Sequence, residues 1–132
     1  MEFVNAVNAV NGFLRTVLPG VRFVTKVPDE PRPDRFVRAI RTGGFRRDAV
    51  TDVARITFEC WNTDKVQAER DAQTIRVALD ALPGKTVGGA KVHRVNEVAG
   101  PSDSPDSQTG HNRYLESFEL HFRGTYRKAN NG

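Results

Sequence analysis

The sequence is short of the residues that would suggest several common classes of protein. It has one cysteine, one methionine and one tryptophan in 132 residues, and aromatics make up only 8%. A lone cysteine excludes an internal disulfide. Cys60 ends an alternating segment, so it is expected to be a core thiol, the usual place of free cysteine. No apolar run approaches the ~20 residues that a bilayer-crossing helix needs. No charged n-region followed by an apolar stretch marks the start, so the chain is expected to stay in the cytosol where it is made. Few aromatics and a mean hydropathy of −0.52 point to a modest core. The 132 residues suit one domain.

Chemistry-bearing constellations are also scarce. The histidines are His93, His111 and His121. None has a second His, Cys or Asp at ligand spacing, so no metal and no cofactor are expected, and the three are expected at the surface or on a sheet edge. Gly84-Lys85-Thr86 ends like a phosphate-binding loop, but the helix precedes it and the motif's first glycine would fall at Leu79, so it reads as a helix C-terminal turn. Ser102, Asp103, Ser107 and His111 share a Ser/Asp/Gly/Pro-rich loop. Such a loop offers no rigid nucleophile or oxyanion site. Asp103 and Asp106 have no apolar pocket to separate their pKa values. No enzyme is expected.

What is present is a clear pattern of elements. Ala54, Ile56, Phe58 and Cys60 alternate with Arg55, Thr57 and Glu59, as in a half-buried strand. Ala68, Ala72, Ile75, Leu79 and Leu82 form one stripe of a helix that Thr63 or Asp64 can cap and Pro83-Gly84 stops. Phe3, Val7, Val10, Leu14 and Val17 predict an earlier helix, with Asn5, Asn8, Asn11 and Gly12 on its other side. Strands are expected at 21–27, 34–42, 51–62, 90–100 and 113–123, the last of them overlong and left with a free end. Pro28, Pro31 and Pro33 stiffen a connection that cannot be a central strand. Residues 43–50 and 100–112 read as exposed loops, and the tail from Thr125 as frayed. The fold class is therefore α+β: a mostly antiparallel or mixed sheet of about five strands with two helices on one face, in the order α-β-β-β-α-β-β.

The net charge of +4 favours an acidic partner, though the excess is spread along the chain. Phe45, Arg46 and Arg47 on the turn GGFRRDAV fit a solvated turn, a protein contact or a phosphate grip with a stacked base. Val66, Arg70 and Val77 line up opposite the core stripe of the second helix and suggest a neighbouring subunit. Asp103 and Asp106 in the late loop, with His121 and Arg123 on the polar side of the last strand, complete the interface candidates.

These residues carry a resemblance. FVRAIRTGGFRRDAVTDVARITFECW, the helix after it, and GPSDSPDSQTGHNRYLESFELHFRG together resemble the tail terminator (tail completion) proteins of long-tailed bacteriophages, especially those of actinobacterial hosts. In that family a Pro-rich loop precedes an R-x-x-R-T-G-G strand, here Arg38 to Gly44. A VTD, here Val50 to Asp52, opens the next strand, and a GP-x-D-x-P-D loop, here Gly100 to Asp106, leads into a long final strand. The likeness covers most of the chain after Val21; Cys60-Trp61 and Arg127-Lys128 lie outside the pattern. It implies a non-enzymatic virion protein at the head-proximal end of the tail, assembled in the host cytoplasm. Its implied partners are further copies in a ring, usually a hexamer, the major tail tube protein and a head-completion or connector protein, with tape measure protein or DNA in the lumen and no membrane. The alternative is a small basic nucleic-acid-binding module with Phe45, Arg46 and Arg47 as its contact.

Overall fold

The computed structural model describes residues 1–126; the expectation for the tail beyond Tyr126, including Arg127-Lys128, lies outside the described residues. In chain order the elements are α1 (Ala6–Val17), β1 (Arg22–Val24), β2 (Arg35–Asp48), β3 (Thr51–Asn62), α2 (Lys65–Asp80), β4 (Thr86–Val87), β5 (Ala90–Asp103) and β6 (Arg113–Arg123). The architecture is α+β, with the expected order of elements and one addition: the two-residue β4 brings the sheet to six strands. They lie in the order β1-β2-β3-β6-β5-β4. β1 runs parallel to β2 and every other neighbouring pair is antiparallel.

Both helices cover one face. The α2 stripe of Ala68, Ala72, Ile75 and Leu79, with Leu82 just beyond the helix, is fully buried. Asp64 is the N-cap, its carboxylate accepting from the amides of Val66 and Gln67. Asn5 caps α1 by accepting from the amide of Asn8. Phe3 thus precedes α1, and Asn11, expected on its solvent side, is 1% exposed. Against these helices β3 sets Ala54, Ile56, Phe58 and Cys60, and β6 sets Phe118, Leu120 and Phe122. Cys60 is buried as expected, and that burial pushes its thiol pKa up.

Three strand expectations need correcting. The first strand is only Arg22–Val24, because the chain bends away at Thr25 and Lys26, which leaves β2 no partner beyond Arg38 on that side. β6 has no free end: it is the central strand, paired along its length with β3 and for most of it with β5. The turn expected at 43–50 is mostly strand, since β2 continues to Asp48 through a bulge at Arg41–Gly43. The bulge depends on glycine. Gly44 holds φ +109, and a Cβ there would collide with the backbone oxygen of Val53 on β3.

The core also holds two carboxyls. Asp71 on α2 is 2% exposed but satisfied. Arg35 forks onto it at 2.8 and 2.6 Å, and Gln67 adds a bond at 3.1 Å. Glu116 faces inward opposite Phe58 on β3 and is 1% exposed. Neither of its carboxyl oxygens has a hydrogen-bond partner. Burial pushes its pKa from 4.5 up to about 9; Arg76 opposes this and Glu97 adds to it. Glu116 is therefore protonated at neutral pH.

Two outcomes are expected. An acid whose folded pKa exceeds its unfolded value binds its proton more tightly when folded, so stability falls as pH rises between about 4.5 and about 9. Urea unfolding of the wild-type chain should lose up to ~1.4 kcal/mol per pH unit in that window from this group. Glu116→Gln should flatten the slope and be the more stable protein at the alkaline end; equal slopes in both would refute an uncompensated Glu116. Gly44→Ala should cost about 2 kcal/mol or more, through its positive φ and the collision with β3. A melting temperature equal to wild type would refute that account of the bulge.

Candidate functional site

With α1 and α2 on one face, the other face of the sheet is the larger surface left for contacts. Period-2 alternation along β3 and β6 sends Arg55, Thr57 and Glu59 there, opposite Glu119, Ser117 and Leu115. The middle is a hydroxyl ladder: Thr42 to Thr57 at 3.2 Å and Thr57 to Ser117 at 2.8 Å. Arg55–Glu119 at 3.2 Å and Arg38–Glu59 at 3.4 Å flank it. Thr42 reaches this side by alternation from Arg38 and Ile40, and the bulge after Arg41 inverts the alternation beyond it, so that Phe45 falls on the same face.

At one end of this face two loops close over aromatics. Phe36 and Trp61 stack with centroids 5.3 Å apart. Arg32 from the proline-rich loop and Arg113 from β6 lie over the Trp61 ring at 6.0 and 5.4 Å. His111 packs at 6.2 Å, and Trp61 donates to Glu59 Oε1 at 3.1 Å. The Pro28–Pro33 and Gly100–Asn112 segments therefore meet at the same end of the sheet, around a cavity of about 220 Å³ lined by Pro31, Arg32, Trp61 and His111. Sequence reasoning gave Trp61 no role. Its cue was an aromatic two residues beyond Glu59 on the polar side of a strand.

At the other end stands the β2–β3 hairpin. Phe45, Arg46 and Arg47 do not form one patch. Consecutive strand residues point to opposite faces, and Arg46 turns to the helix side, its guanidinium 5.8 Å over the Phe3 ring. Phe45 is 58% exposed. It pairs with Val53, which in turn pairs with His121, so it belongs to the outer face. Arg47 shares that face: its charge acts on His121 and it pairs with Asp48 at 3.4 Å. The hairpin stem is fixed on the helix side by Arg41, forked onto Asp52 at 2.8 Å twice. Those bonds raise the Arg41 pKa.

His121 corrects the expectation of a surface or edge histidine. It is 7% exposed, on the central strand. Burial holds its pKa below the usual value, and Arg47, Arg94 and His93 lower it further. Arg123, two residues on, is exposed at the end of β6 and shares the outer face.

The remaining interface candidates separate. Asp103 pairs with Lys65 at 2.7 Å, which raises the lysine pKa. Asp106 is spent within its loop: it accepts from the Thr109 amide and hydroxyl at 3.0 and 2.6 Å, which lowers its pKa. Val66 is 59% exposed and Val77 69%, as expected for a face turned from the core. They line different hollows. Val66 and Arg70 sit with Leu18, Arg35 and Asp71. Val77 joins Phe13, Val17 and Ala78 in an apolar groove of about 610 Å³ between the helices. Asp71 and Glu116 were missed as buried acids, although each falls in the apolar period of its own element. Ser102, Asp103, Ser107 and His111 do not converge, because Asp103 is held by Lys65 and His111 Nδ1 by the Thr109 hydroxyl at 2.6 Å. No group of three or more His, Cys, Asp or Glu able to hold a metal occurs among the described residues.

No family model matches the chain, and no curated protein matches it. Among solved structures, a chain of the "Virion of native gene transfer agent (GTA) particle" shares the fold. The TM-score is 0.62 at 15% sequence identity, over 89% of this chain and 94% of that one.

Proposed function

We propose that this chain is a structural subunit of a phage-like virion. It forms a ring, six-membered in this reading, that caps the tail tube at its head-proximal end, stops tube growth and presents a surface for head joining. The observation that carries the reading is the shared fold with a chain from a gene transfer agent virion, nearly complete over both chains. The turn and strand pattern from Arg38 to Asp106 supports the finer role, since it resembles that of tail terminators.

The sheet edges support a ring. β1 covers the outer edge of β2 only at Phe36–Arg38, so from Ala39 to Asp48 that edge has no strand neighbour among the described residues, β3 holding the other edge. β4 covers β5 only at Ala90 and Lys91, which leaves β5 open towards Asp103. One opening lies at the hairpin end and the other at the loop end. β2 and β5 run in opposite directions, so β5 of one copy can pair antiparallel with β2 of the next. Two different patches meeting head to tail make a heterologous interface, which closes into a ring when the rotation allows. These edges replace the overlong β6 as the proposed interface.

The two ends of the sheet support two partners. β3 spans twelve residues, roughly 36–40 Å at about 3.3 Å each. Its ends separate the paired loops at 28–33 and 104–112 from the hairpin tip; the second loop is shorter than the 100–112 expected, because β5 runs on to Asp103. In this reading one end meets the tube protein and the other the head-completion or connector protein.

Light scattering should give a mass near six times 14.7 kDa, either alone or after addition of purified tail tubes. Val98 is 42% exposed on the open part of β5, and a lysine there should block strand addition. Val98→Lys is expected to keep the wild-type circular dichroism and melting temperature but to sediment as a monomer. A wild-type chain that stays monomeric with and without tubes would overturn the ring.

A further inference from the structure

We propose that the outer sheet face at the hairpin end is a docking surface for the phosphodiester backbone of duplex DNA, contacted by Arg47, Arg94 and Arg123 around His121. Three strands bring these groups together. Arg94 on β5 stands opposite His121 on β6. Arg47 reaches across from β2, and His93 adds a further ring beside them. The charged groups facing His121 are Arg47 with its partner Asp48, Arg55 with its partner Glu119, Arg94, His93 and Arg123. Four fixed positive charges thus meet two negative ones. Arg94 and Arg123 have no carboxylate partner among the described residues.

The second observation is His121 itself. Arg94 Nε donates to Asn96 Oδ1 at 3.0 Å, which turns the Asn96 amide nitrogen to His121 Nε2 at 3.3 Å. Nε2 is then the acceptor, and the ring proton sits on Nδ1. That nitrogen is buried and has no partner. An unsatisfied donor beneath a cluster of cations is costly for the isolated chain and suits a surface whose missing element is an anion.

The spread of the cations favours a polymer over a single ion. They lie on strand positions several residues and three strands apart, so one phosphate cannot span them, whereas a backbone carrying a charge every few ångströms can. Bringing phosphates to Arg47 and Arg94 offsets the charges that, after burial, hold the His121 pKa down. The ring then gains a proton on Nε2 on docking, the Asn96 amide turning its oxygen to that nitrogen as phosphate takes over Arg94, so affinity rises as pH falls towards the ordinary histidine range.

This inference does not rest on the ring reading, and its test uses the isolated chain, so either can fail alone. Fluorescence anisotropy with a short labelled duplex, from about 50 to about 200 mM salt, should give a log–log slope between about −2 and −4. Arg47→Ala with Arg94→Ala should reduce the slope by about 2 and weaken binding at about 50 mM salt roughly tenfold or more. Both side chains are exposed, so the melting temperature should hold. NMR should show the His121 pKa rising when duplex is added, and the pH dependence of affinity should vanish in His121→Gln. Absence of binding at low salt, unchanged affinity in the double variant, or polyglutamate competing as well as DNA would each overturn the proposal. The last would point to an acidic protein partner.

Discussion

The antiparallel ladder between β3 and β6 is the constraint on which the rest depends. It joins residues about sixty positions apart through eleven consecutive pairs, from Thr51 with Arg123 to Trp61 with Arg113, with no bulge. An unbroken ladder fixes which side chains share a face, because a slip of one residue would invert both strands. Ala54 and Leu120, Ile56 and Phe118, and Phe58 and Glu116 thereby become floor for the helices. Arg55 with Glu119 and Thr57 with Ser117 become the opposite surface. The hydrophobic set of β3 and the polar set of β6 are consequences of one register.

Centrality has a cost that β6 shows twice. A middle strand has no solvent-facing edge, so both of its faces tend to be covered. Glu116 on one face has two carboxyl oxygens without partners, and His121 on the other has an unpartnered Nδ1. Unsatisfied buried polar groups are rare enough that each asks for a reason. Both respond to burial by favouring the uncharged form: the carboxyl is raised to about 9 and the imidazole lowered. They differ in their surroundings. Glu116 lies under α2 beside an Arg76–Glu97 ion pair, with no excess charge to satisfy. His121 lies among four arginines, of which Arg94 and Arg123 have no carboxylate partner among the described residues, so an incoming anion would change the electrostatics of the corner.

Where local period and final register agreed, the sequence was legible. The α2 stripe, a cap at Thr63 or Asp64, the Cys60 burial and the alternation of 54–60 could all be read from the sequence; which of the two residues caps α2 needed the structure. Bulges are where legibility stopped. β2 shifts register at Arg41–Gly43 and near Asp48, and β5 shifts between Val92 and Arg94 and again around Ala99. A shift of this kind turns the side chains beyond it to a face that simple alternation would not assign, as with Phe45 after the bulge at Arg41–Gly43. The contiguous Phe45-Arg46-Arg47 patch failed for the opposite reason: alternation holds there, and it splits neighbours in sequence onto opposite faces. Strand order was beyond reach, because a long final strand reads the same whether central or at an edge. The pairing of Asp71 with Arg35 was hidden too, since the partners are 36 residues apart.

The distribution of charge along the strands bears on how a ring of this fold would behave. The loop end carries Asp29, Glu30, Asp34 and Asp103 at its surface. The hairpin end carries Arg46, Arg47, Arg94 and Arg123. In a ring built through the β2 and β5 edges, every subunit presents the same end on the same side, because a cyclic axis along the strands preserves their direction. Arg32 offsets Glu30, Lys65 offsets Asp103 and Asp48 offsets Arg47, so the charges left over from these sets are Asp29 and Asp34 on one rim and Arg46, Arg94 and Arg123 on the other. Rings with unlike rims can stack on themselves, acid to base, unless each rim has a better partner. The hairpin is stiffened by the Arg41–Asp52 fork and is held to the segment before α1 by Arg46 over the Phe3 ring. The acidic rim is instead drawn in around Trp61, with Asp106 and Arg32 turned into their own loops. In the proposed ring that asymmetry would distinguish the two rims, so that each would suit a different partner.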